Sequence, residues 1–137
     1  MKKLFVYMLA GLLMFGTAPI WADAGIVQKQ IQFKKGTSGT TVSGKIKGHE
    51  TLDYQLRAKA GQTMTVDFKA GKGAAYFNIL PPGSDAALFI GSSSGNHFNE
   101  KLPVDGVYTV RLYLMGAAKD GNKTVNYSLK INLPVSK

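Results

Sequence analysis

The chain has 137 residues, with 17 Lys and Arg against eight Asp and Glu, and a formal net charge of +9. It contains no cysteine, which excludes disulfides, thiolate zinc sites and cysteine nucleophiles. The basic charge is almost all lysine, and Arg57 and Arg111 are the only arginines, which argues against a nucleic-acid site built on guanidinium forks.

Lys2 and Lys3 precede an apolar run from Leu4 to Phe15 that is too short and too early for a spanning helix, and small residues follow it. Residues 1–24 therefore read as a secretory signal peptide, cleaved after Ala22 or Ala24. Residues 25–137 are then expected to form one domain, exported to the periplasm or secreted, and not membrane-spanning. Its charge would be about +7 to +8, mostly diffuse lysine that favours anionic envelope surfaces in a salt-dependent way.

Gly25 to Lys35 predicts a first strand, with Ile31 and Phe33 alternating against Gln30 and Gln32. Thr41 to Lys47 predicts a second, interrupted at Gly44, which reads as a bulge. Leu52, Tyr54, Leu56 and Ala58 share the inner face of a third, and Met64, Val66 and Phe68 that of a fourth. Ala75 to Leu80 is apolar on both sides and predicts a strand covered on both faces, stopped by Pro81-Pro82-Gly83. Ala86 to Ile90 is short and apolar, Gly91 to Gly95 reads as a loop, and Phe98 to Leu102 as an edge strand.

The clearest alternation lies in Val107 to Met115 and in Thr124 to Asn132. Tyr108, Val110, Leu112 and Leu114 share one face; Val125, Tyr127, Leu129 and Ile131 share another. The two strands are expected to pair as a hairpin in the sheet centre, around an exposed polar loop from Gly116 to Asn122. No amphipathic helix follows the leader. Turn signals at short intervals predict an all-β fold, a single antiparallel β-sandwich or jelly roll of about eight or nine strands.

Chemistry has few candidates. His49 has Ser43, Glu50 and Asp53 nearby in sequence, but no nucleophile elbow or oxyanion hole is evident, so an exposed turn histidine is the favoured reading. Asp53 and Asp67 are expected on the outer faces of adjacent strands, near each other, with Arg57 and Lys69 as surface ion-pair partners. Asp120-Gly-Asn122 lacks the ligand series of a calcium loop and reads as a tight turn. Asp105 before Gly106 reads as a turn residue. Tyr113 shares the outer face with Arg111, and Tyr76 is a second outward candidate; such rings either pack on the sheet or contact a sugar or partner protein. No metal or cofactor is expected.

Tyr108 to Met115, followed by Ala117, Ala118 and Asn122, resembles the bacterial periplasmic inhibitors of goose-type (g-type) lysozyme. Ser43 to Gly48, Tyr54, the Lys59-Ala-Gly-Gln62 turn, Tyr76 to Asn78, and Leu102 to Tyr108 are similar to the same family. The last of these also resembles pre-peptidase C-terminal β-sandwich domains. The resemblance implies a non-enzymatic β-sandwich whose loops, here residues 44–50 and 116–123, plug the lysozyme cleft and meet its catalytic acid. The partner-binding candidates it implies are Lys47, His49, Arg111, Tyr113, Lys119, Asp120 and Lys123. The chain departs from the family pattern at His49, where an aromatic is usual, and at Gly116, Asp120 and Gly121, where the loop usually carries arginines. Lys119 or Lys123 would then supply the cation, as a point charge rather than a fork. The alternative is a non-enzymatic envelope module that recognises peptidoglycan, another anionic envelope glycan, or a different protein.

Overall fold

Two β-sheets close over one apolar core in the computed structural model, which describes residues 26–71 and 75–134. The expected signal peptide lies outside the described residues. The strands are β1 (Ile26–Gln30), β2 (Gly39–Lys47), β3 (Thr51–Ala58), β4 (Thr63–Ala70), β5 (Ala75–Leu80), β6 (Phe89–Ile90), β7 (His97–Lys101), β8 (Gly106–Leu114) and β9 (Thr124–Asn132). Single helical turns, α1 (Gly91–Ser94) and α2 (Gly116–Asp120), interrupt the β6–β7 and β8–β9 connections. One sheet has the order β2-β9-β4-β7 and the other β1-β3-β8-β5-β6.

The architecture is the expected β-sandwich, antiparallel except where β1 runs parallel to β3 at one edge. The alternating residues form the core as the period-two pattern requires: Val66, Phe77, Val110, Leu112, Leu129 and Ile131 are fully buried. Tyr108 anchors the turn before β8, donating from its hydroxyl to the Val104 carbonyl at 2.6 Å and accepting from the Val104 N–H at 3.2 Å. Asp105 holds the same turn by accepting the Ala60 N–H at 2.8 Å.

The hairpin expectation is overturned. β8 and β9 do not pair; each sits inside a different sheet, β8 between β3 and β5 and β9 between β2 and β4. Alternation marks which face of a strand is buried, not which strand lies beside it. The connection carries α2, with left-handed backbone at its first residue, Gly116 (φ of 60°), and just past its end at Asn122 (φ of 53°). That path steps from one sheet to the other, a gap of roughly 10 Å between stacked sheets, rather than folding back as a two-residue turn would.

Smaller expectations also change. Gly44 is not a bulge: the β2–β9 register runs through it, with Gly44 opposite Tyr127. A Cβ there would lie 2.8 Å from the Tyr127 hydroxyl, so the missing side chain is a seat for that ring. β5 is only partly covered on its outer face, where Tyr76 and Asn78 are half-buried and Leu80 is buried. Gly91 to Ser94 is a helical turn rather than an open loop. Asp53 and Asp67 lie in different sheets, and neither has the expected partner: Asp53 binds Arg111 and Asp67 binds His97.

The Tyr127 hydroxyl shares a 2.6 Å hydrogen bond with that of Tyr54, between the sheets. Burial, and then this bond, push the Tyr127 phenol above its ordinary value. The unfolded phenol ionises near pH 10 while the native one stays neutral, so this contribution is complete below about pH 10 and is lost as pH rises above it. Urea denaturation between about pH 9 and 12 should show falling stability, with a shallower fall in Tyr127→Phe.

Candidate functional site

The β2–β3 turn and the β8–β9 connection meet at one end of the sandwich. Residues 47–50 turn tightly, the Glu50 N–H donating to the Lys47 carbonyl at 3.0 Å and the Glu50 carboxylate accepting the Lys47 N–H at 2.8 Å. The connection is closed by its own bonds, Gly121 N–H to the Ala117 carbonyl and Lys123 N–H to the Ala118 carbonyl, over a buried Ala118. One bond joins the two segments: the Gly48 N–H donates to the Lys123 carbonyl at 2.9 Å. Gly48 has φ of 56° and packs so closely that a Cβ would fall 2.2 Å from the Asn122 side-chain oxygen.

Between the segments lies a shallow depression of about 300 Å³, lined by residues 48–51, by Tyr113, Leu114 and Met115, and by Lys119. The structure thus brings together His49, Tyr113 and Lys119, with Lys47, Asp120 and Lys123 exposed on the adjoining turns. Met115, 43 % exposed at the exit of β8, stands out as an apolar side chain on this rim. Period two already places it on the outward face with Arg111 and Tyr113, a signal in the sequence that the choice of candidate residues did not use. Lys47, Lys119 and Lys123 are offset here by Glu50 and Asp120, so this end carries little of the chain's net charge.

Arg111 stands apart from the rim. It lies two residues before Tyr113, roughly 7 Å further along the strand, opposite Asp53 in register. Its Nε and Nη2 donate to the two Asp53 carboxylate oxygens at 2.8 and 2.9 Å. That bond raises the guanidinium pKa above its already high ordinary value, against the opposing effect of burial. Asp53 is only 3 % exposed. Tyr113 is held from the side, its hydroxyl donating to Asn78 Oδ1 at 2.8 Å and its ring 6.0 Å from that of Tyr76.

The hydrolase residues do not assemble. Ser43 points out from the four-stranded sheet, while Asp53 is locked to Arg111 on the outer face of the other. No group of three His, Cys, Asp or Glu side chains among the described residues converges as a metal site would require. What the loop end offers is two bonded segments carrying an exposed apolar side chain, an aromatic wall and exposed cations, features that suit protein contact.

Comparison with known proteins follows the same line. No family model matches this chain. It is 30 % identical over 106 residues to an inhibitor of g-type lysozyme from Escherichia coli (strain K12), spanning 75 % of this chain and 78 % of that protein. The crystal structure of Aeromonas hydrophila PliG, a periplasmic inhibitor of g-type lysozyme, superposes with a TM-score of 0.72 at 33 % identity, covering 80 % of this chain and 97 % of that one. A mutant of the Escherichia coli inhibitor superposes at 0.66 and 29 % identity, covering 81 % and 100 %. The pre-peptidase C-terminal domain of a Bacillus anthracis collagenase shares the fold at 0.59 and 16 % identity, covering 85 % and 100 %.

Proposed function

The chain belongs to the family of inhibitors of g-type lysozyme, and from that premise we propose that it is a periplasmic, non-enzymatic protein that seats the loop end of its sandwich in the cleft of a g-type lysozyme. Residues 1–24 serve as the export signal, and residues 25–137 act as one domain. The observation that carries the reading is the bond from Gly48 to Lys123, which makes the 47–50 and 116–123 segments one preformed ridge. A preformed ridge loses little conformational freedom on binding.

Met115 is the apolar anchor, and Tyr113, held by Asn78 and Tyr76, forms the wall beside it. Lys119 is the cation nearest the depression and the one assigned to an acidic group of the enzyme, with His49, Lys47, Asp120 and Lys123 on the rim. Arg111 is spent on Asp53 and makes no contact itself.

Titration of the purified mature protein into a g-type lysozyme should abolish cell-wall lysis at micromolar concentration or below. Met115→Glu should weaken inhibition by about tenfold to a hundredfold, since it places a charge at the centre of the contact. Failure of the unaltered protein against several g-type enzymes would refute the function. Full potency in the Met115 variant would refute the anchor.

A further inference from the structure

The positive charge is concentrated on the outer face of the four-stranded sheet. Alternation and register place Lys45 and Lys47 of β2, Lys130 of β9, Lys69 of β4 and Lys101 of β7 on that face, in a band running diagonally from the loop end to the β7 edge. One carboxylate, Asp67, opposes these five lysines, and it is hydrogen-bonded to His97. The intervening residues are short and polar. Thr41 and Ser128 floor a depression of about 420 Å³, with Lys69 and Lys130 on its sides. The outer face of the other sheet differs: its Asp53–Arg111 pair is neutral and two tyrosines cover it.

We infer that this lysine face is a docking surface for an anionic phospholipid bilayer. Lysines are mobile, strongly hydrated point charges, suited to diffuse contact with headgroup phosphates. Among the described residues pointing out from this face there is no Phe, Tyr or Trp, and its one ring, His97, is tied to Asp67, so the face lacks the broad stacking platform that sugars and nucleic-acid bases use. Nor does it carry an exposed apolar wedge, so contact stays at headgroup level. The face flanks the loop end and shares only Lys47 with it. A molecule lying on its lysines leaves the Met115 ridge open to a protein partner, so the inhibitor would be held where the wall is attacked.

The test is co-sedimentation of the mature protein with vesicles of phosphatidylcholine alone or mixed with phosphatidylglycerol, at low and high salt, and separately with purified peptidoglycan. Retention is expected only on the phosphatidylglycerol vesicles, and only at low to moderate salt. Lys69→Glu with Lys130→Glu should lower vesicle partitioning by about tenfold or more, whereas Lys34→Glu with Lys35→Glu, in the β1–β2 connection outside the strands of this face, should change it by less than about twofold. Lysozyme inhibition should be unchanged in both variants, which separates this outcome from the function itself. Equal loss in the two variants, salt-independent binding, or retention on peptidoglycan but not vesicles would each overturn the inference.

Discussion

Replacing Arg111 with methionine is expected to lower folding stability by about 2–4 kcal/mol while leaving lysozyme inhibition intact below the new melting temperature. The Asp53 side chain is 4 % exposed and spends both oxygens on Arg111. Removing the guanidinium leaves a buried carboxylate with no cation beside it, a large penalty because the low-dielectric interior cannot solvate it. The cost stays below that of a fully buried pair because Arg111 itself is 34 % exposed, so water enters where it stood. Asp53→Leu alone should cost less, since a stranded guanidinium at this surface can still reach solvent. The double variant Arg111→Met with Asp53→Leu should recover most of the loss, because an apolar pair of similar size fills the same space. Urea denaturation across this cycle measures the coupling. A change below about 0.5 kcal/mol in the single variant would make the pair an ordinary surface ion pair. Loss of inhibition by a still-folded Arg111→Met protein would place Arg111 in the contact with the enzyme.

Arg111 also shows how far local pattern reaches. An outward-facing basic residue beside Tyr113 reads as available for a partner until Asp53 is known to lie opposite it, and that knowledge needs the β3–β8 register. Strand identity was legible because burial of one face imposes period two on Tyr108 to Leu114 and Val125 to Ile131. Strand pairing was not, because the same pattern serves a hairpin and two strands facing each other across a core. β1 carries no inward alternation at all; every residue in it is exposed, and its parallel place beside β3 rests on backbone bonds that side-chain pattern does not record. The loop end was legible as two segments, through their turn residues. That they form one ridge depends on Gly48 fitting against Asn122, a contact between positions far apart in the chain.

That contact carries an expected functional effect as large as that of Met115→Glu. Gly48→Ala should weaken inhibition by about tenfold to a hundredfold with most of the fold retained. Two causes act together. A φ of 56° costs an L-residue about 1–2 kcal/mol in steric strain. The new Cβ would also occupy the space of the Asn122 side-chain oxygen, 2.2 Å away. The 48–50 turn can relieve both by swinging away from the 116–123 segment, which breaks the bond to Lys123 and separates His49 from Met115 and Lys119. The sandwich should survive, because Ile46 and Leu52 on either side of the turn remain buried in their strands. Adding Asn122→Gly removes the clashing oxygen at a position whose own φ of 53° suits glycine, and should restore most of the inhibition. The strain at residue 48 would persist, so the double variant should recover potency more fully than thermal stability. Unchanged inhibition by a folded Gly48→Ala protein would show that the two segments need not act as one ridge. A double variant no better than the single would remove the Asn122 contact as the cause.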